Sequence, residues 1–262
     1  MLGLISAYAA VTVTAEQIFR ATGVGGVNPA IGLVIPYAML FGMIGVASGV
    51  LAVILVDVFR LAVSMETITV SAGHLLGGYL SYRLAIRIVG VSETNRWMWP
   101  LARFTLVAVA GSAAIAATIG LLHEIVARAP FYLSGIIAIQ YLLATMTLGL
   151  FAFAISRGFW PAYRVTGPVA EGARRMVALT VVIAVGWLLL GVLGSAGFYN
   201  LMRIPAFVLA DIGLEAIRPL ADPRRVGPRA LYPQLVLGSL ALGLLVLIFR
   251  SDRRDREAQA CD

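Results

Sequence analysis

Residues 61–88 read LAVSMETITVSAGHLLGGYLSYRLAIRI, a stretch that sets an acid, an imidazole and several small residues within apolar sequence. Glu66, Val70, His74, Gly77 and Ser81 recur at helical spacing, so a helix here carries them along one stripe. Ionisable groups are costly in hydrocarbon, and such a stripe is expected to face a bundle interior or water. Two chemistries suit it. Glu66 and His74 could bind a small polar ligand, with Gly77 and Ser81 leaving room beside them, or they could pass a proton. The competing structural reading sets Glu66 at the membrane interface and bonds His74 to a neighbouring helix.

Asp57 and Arg60 close the preceding apolar run. At i, i+3 they can pair on one helix face and anchor its depth. Asp57 is also a ligand-binding candidate. His123 and Glu124 are adjacent, so they do not face each other on a helix. Ser71 and His74, at i, i+3, have the spacing alone of an intramembrane hydrolase pair. No HExxH motif occurs, and the single cysteine, Cys261, leaves neither a paired-cysteine motif nor an internal disulfide. GxSxG, Walker and dinucleotide fingerprints are absent too. No catalytic residue, metal or cofactor is assigned, and the expectation is a protein that is not an enzyme.

The elements that position these residues belong to a bilayer. Hydrophobic residues make up 60% of the 262 and charged residues 13%, where a soluble domain carries about 25% charged. Mean hydropathy is +0.93. From Pro29 to Val56 there is no charged residue. A crossing needs roughly 20 apolar residues, so this run is too long for one comfortable span. Pro36 removes a backbone donor and Gly42 relaxes local geometry, which predicts a break near Gly42.

Apolar segments fall at about 3–20, 29–41, 42–58, 64–89, 101–123, 131–156, 175–198 and 230–249. The expected fold is all-α, a polytopic transmembrane bundle of about eight segments, or seven if 29–58 is one helix. Gly45-xxx-Gly49, Gly73-xxx-Gly77 and the run Ala110, Ala113, Ala114 and Ala117 are close-packing signals. Residues 1–249 form one bundle, and 250–262 form a short tail. Within 205–221, Phe207, Ala210, Leu214, Ile217 and Ala221 share one helical face, and Asp211, Glu215, Arg218 and Asp222 share another. That pattern predicts an amphipathic helix at the membrane surface or packed on the bundle ends.

The formal charge of +7 comes from arginine, since the chain contains no lysine. In a membrane protein this charge sets orientation and does not point to nucleic acid. Arg83, Arg87, Arg96 and Arg103 flank one loop; Arg157, Arg164, Arg174 and Arg175 flank another; Arg250, Arg253, Arg254 and Arg256 fill the tail. All three fall on one side, which should be cytoplasmic, so the C-terminus is cytoplasmic in a multi-pass cell-membrane protein. The loop 199–229 is also Arg-rich, yet the count places it outside.

Three stretches resemble bacterial membrane-associated sensor domains of the first type. Asn28-Pro29-Ala30-Ile31-Gly32-Leu33, followed by Phe41-Gly42, is similar to that family's opening helix pair. Glu66-Thr67 through Gly77-Gly78-Tyr79-Leu80-Ser81-Tyr82-Arg83-Leu84 is similar to its next helix. Ala116-Ala117-Thr118-Ile119-Gly120 is similar to its Ala-Thr-x-Gly helix. The resemblance covers about residues 28–156. Where the family has Trp-Trp-x-Gly-Asp, this chain reads YLLATMTLGL, Tyr141 to Leu150. The same region resembles the substrate-binding S components of energy-coupling-factor vitamin transporters, through Gly42, Gly45, Gly49 and Asp57.

These resemblances imply non-enzymatic recognition of a small-molecule ligand within the lipid bilayer. The first implies a sensor acting through a separate signalling protein; the second implies a subunit of a metabolite uptake system that docks on an energy-coupling protein. An intramembrane enzyme is a further alternative. The orientation itself is directly testable. Cysteines introduced near Arg96, Arg164 and Arg254 should resist an impermeant thiol reagent in intact cells, and labelling at any one would overturn the topology beyond it.

Overall fold

The computed structural model describes residues 1–22, 29–89, 98–126, 130–159, 173–201 and 231–248. The expected amphipathic helix at 205–221, the tail 250–262 and Arg96 and Arg164 lie outside the described residues. Those described are helical almost throughout and contain no strand. Helix α1 spans Leu2–Thr22, α2 Val34–Phe59, α3 Met65–Val89 and α4 Met98–Val126. Helices α5 (Ser134–Ala144) and α6 (Leu150–Phe159) join through a π turn at Thr145–Gly149, and α7 spans Ala173–Leu201. Helix α8 spans Leu231–Ile248.

Among the described residues, five stretches are long and apolar enough to cross a membrane: Pro29–Phe59, Leu101–Val126, Phe131–Ile155, Arg175–Gly197 and Leu231–Ile248. Helix α4 is the centre, with 72% of its apolar window buried, against 22%, 33% and 28% in the last three. Those outer stretches turn aliphatic side chains outward, as a lipid-facing surface requires. On α7, Val182, Leu189, Leu190 and Leu193 are exposed while Ala184, Trp187 and Leu188 are buried.

The expected break is present. Gly42 has φ 59° and ψ −137° inside α2, a conformation that only glycine adopts without strain. The chain reverses there. Residues eight apart in a straight helix are about 12 Å apart, yet a Cβ on Gly45 would overlap the carbonyl oxygen of Tyr37. Further from the turn, a Cβ on Gly49 would lie 3.7 Å from the Val34 side chain. The two limbs of α2 therefore form a tight helical hairpin. Its entry, the 3₁₀ turn Pro29–Leu33, nests against the π turn: a Cβ on Gly32 would strike the Ala144 carbonyl, and one on Gly149 the Gly32 carbonyl.

Helix α3 packs between α2 and α4. The close-packing signals act here. The space over Gly73 and Gly77 is filled by Ile119 and Ile115 of α4, and Gly111 of α4 faces Ser81. Ala110, Ala113, Ala114 and Ala117 are buried.

This packing separates two kinds of glycine. Gly45→Ala should destabilise the protein by ~1–3 kcal/mol, because backbone, not a movable side chain, occupies the site. Gly186 on α7 has nothing within 4 Å of its added Cβ, so Gly186→Ala should be neutral or stabilising by ~0.5–1 kcal/mol. Thermal unfolding in detergent measures both; equal effects would contradict the hairpin.

Candidate functional site

The turn from α2 into α3 is built by backbone geometry. Ala62 N–H bonds the Asp57 carbonyl at 2.9 Å and Leu61 N–H the Val58 carbonyl at 3.0 Å. This is a Schellman cap, whose left-handed position is usually glycine. Here it is Leu61, at φ 52° and 95% exposed. The next helix starts at Ser64, whose N–H donates to Thr67 Oγ1 at 3.1 Å, one half of a capping box. The Thr67 hydroxyl donates in turn to Asp57 Oδ2 at 2.6 Å. Thr67 thus ties the end of α2 to the start of α3.

Behind this turn lies a cavity of about 430 Å³ between α1, the Pro29–Leu33 turn, and parts of α2, α3, α4 and α5. Its exposed side is polar, with Asp57, Arg60, Ser64 and Glu66, and the buried Thr67 lies beside them. Further polar groups are the buried Tyr8 and Thr12 from α1 and Tyr141 from α5, and the half-buried His123 from α4 and Gln140 from α5. Ile31, Val53, Val56, Val70, Ile119 and Ile137 supply an aliphatic wall. A volume of this order suits a small organic ligand.

Two side-chain bonds brace the walls. Thr69 donates to the Glu66 carbonyl at 2.9 Å and meets His123 Nε2 at 2.9 Å. With the hydroxyl proton committed to the carbonyl, His123 donates through Nε2–H. His74 Nε2 lies 2.7 Å from the Tyr141 hydroxyl. The His74 ring packs edge-on to Tyr141 at 5.6 Å and to Tyr8 at 6.5 Å.

The candidate residues separate on this map. Asp57 and Glu66 border the cavity, Glu66 as an exposed rim residue and not a buried one. His74 is fully buried and stands behind Tyr141 and Tyr8, outside the lining. Its bond goes to Tyr141 and not to Ser71. Gly77 and Ser81 lie deeper, in the α3–α4 contact, and Ser81 Oγ donates to the Gly77 carbonyl at 2.7 Å. The room expected beside His74 is occupied by the isoleucines of α4. The stripe therefore faces inward from His74 onward but touches the cavity only at its first turns. His123 borders the cavity while the adjacent Glu124 sits off its lining, as neighbours on a helix must.

Sequence reasoning missed Tyr8, Thr12, Thr67, Gln140 and Tyr141. The available signal was Gln140-Tyr141, a polar pair inside an apolar span. Comparison with protein-family models, with curated proteins and with solved structures finds no match.

The His74–Tyr141 bond makes a measurable claim. His74→Ala should cost ~1–3 kcal/mol through the unpartnered Tyr141 hydroxyl alone, and His74→Gln should recover part of it. Glu66→Gln, at an exposed rim, should change stability by less than ~0.5 kcal/mol. Detergent unfolding would refute this placement if Glu66→Gln were the costlier change.

Proposed function

We propose that this chain is a multi-pass membrane protein that recognises a small ligand without chemically transforming it. The supporting observation is the cavity, with a polar rim at the α2–α3 turn and an aliphatic wall below. Eight membrane segments with both termini cytoplasmic set that turn on the side opposite the three Arg-rich regions. The limbs of α2 count as two of the eight, so the Asp57–Ser64 rim opens outward. A ligand arriving from outside then meets Asp57 and Glu66 first. Tyr141, braced by His74, stands deeper. In this reading His74 is a positioning residue, and Gly77 and Ser81 set the α3–α4 approach.

The leading reading is sensing, with occupancy passed to a separate signalling protein through helices that contact the cavity. Uptake, as a substrate-binding subunit that docks on an energy-coupling protein, is the second. The reversal at Gly42, the close approach at Gly45 and an acid at the cavity rim favour it, since these residues carry the resemblance to S components.

The test uses the full chain in nanodiscs against a panel of small metabolites, read by thermal shift. At least one compound should raise the unfolding temperature, and Val70→Phe, which fills the cavity from α3, should abolish the shift while the free protein still folds. A shift that survives Val70→Phe would place recognition elsewhere. Solute accumulation by the chain alone in liposomes, driven by an ion gradient, would overturn both readings.

A further inference from the structure

The charges around the cavity are unequal. Among the described residues, two carboxylates, Asp57 and Glu66, border it against one guanidinium, Arg60. The Asp57 side chain accepts a hydrogen bond from Thr67, a neutral hydroxyl, so that bond brings no positive charge to it. A carboxylate at the mouth of a membrane cavity calls for a positive partner. An anionic ligand would meet two like charges there against one opposite charge. A neutral polyol would satisfy hydrogen bonds and leave the charge standing.

Resting on the small-ligand reading above, we propose that the cavity binds a small organic amine. Its ammonium group sits on Asp57, and its short apolar body lies against the wall formed by Val53, Val56, Ile119 and Ile137. An ammonium offers up to three N–H donors and no acceptor. The hydroxyls of Tyr8 and Thr12 and the amide oxygen of Gln140 supply acceptors beyond the carboxylate. The Tyr8 and Tyr141 rings on the same lining add attraction for a cation. Glu66, exposed at the rim, draws the cation in and does not hold it. Charge at a rim changes arrival more than residence.

A matched series tests the head group apart from the body: benzylamine, benzyl alcohol and benzoate, titrated against the full chain in nanodiscs. Benzylamine should bind about tenfold or more tighter than either analogue, the difference between a charge-assisted and a neutral hydrogen bond. Asp57→Asn keeps an acceptor for Thr67 and should reduce the preference to about twofold or less. Thr67→Val, which removes the bond and keeps the charge, should retain the preference, and so separates loss of charge from loss of the turn. Benzoate binding as tightly as benzylamine, or an amine preference that survives Asp57→Asn, overturns the amine assignment. So does absence of binding by all three to the folded protein. If the metabolite panel still yields a shift sensitive to Val70→Phe in that case, the amine assignment alone has failed. If it does not, the small-ligand reading has failed with it.

Discussion

The reversal at Gly42 is the constraint on which the rest of the molecule depends. A helix of 26 residues, Val34–Phe59, would by itself be a long straight rod. One residue with a positive φ turns it into a hairpin, and Gly45 lets the returning limb touch the backbone of the outgoing one. The consequence is positional. Ile31 before the hairpin and Asp57 at its far end border the same cavity. Without the reversal they would be separated by most of the bilayer. Hydrocarbon offers no water to a broken backbone, so such a break persists only where protein covers it. Pro29–Leu33 and the π turn at Thr145–Gly149 lie against each other backbone to backbone, which covers the entry to the hairpin.

Around this frame α3 is the polar helix, and its polar groups find partners in three directions. Thr67 reaches Asp57 on α2, Thr69 reaches His123 on α4, and His74 reaches Tyr141 on α5. Between lipid-embedded helices, apolar contact adds little over contact with lipid, so packing and hydrogen bonds carry the association. Each such bond contributes about 1 kcal/mol. Its larger effect is orientation, since a buried polar group turned away from its partner costs ~1–3 kcal/mol. The three bonds fix the rotation of α3. That rotation aims Glu66 and Thr67 at the cavity and buries His74 behind it.

The sequence made the bundle legible because its signals are local. The charge-free run from Pro29 to Val56 exceeds one crossing, and Pro36 with Gly42 marks where it breaks. Gly73, Gly77 and the alanine run announced a tight helix contact, and α3 and α4 make one. The stripe faces inward from His74 onward, while Glu66 at its start is exposed, and His74 lies off the cavity it was expected to line. Periodicity says which residues share a face; it does not say what lies opposite. Small residues beside His74 could mean a void or a close neighbour, and the isoleucines of α4 decide for the neighbour.

Sequence alone determined the helical class, the presence of stretches apolar enough to cross a membrane, and the break, since each follows from composition and spacing along one chain. Tertiary structure decided the site. The cavity draws on α1, the Pro29–Leu33 turn, α2, α3, α4 and α5, and its polar groups Tyr8, Thr12, Gln140 and Tyr141 come from segments far apart in the chain. No periodicity relates Tyr8 to Tyr141. Only the folded arrangement, with His74 packed edge-on to both rings, brings them to one wall.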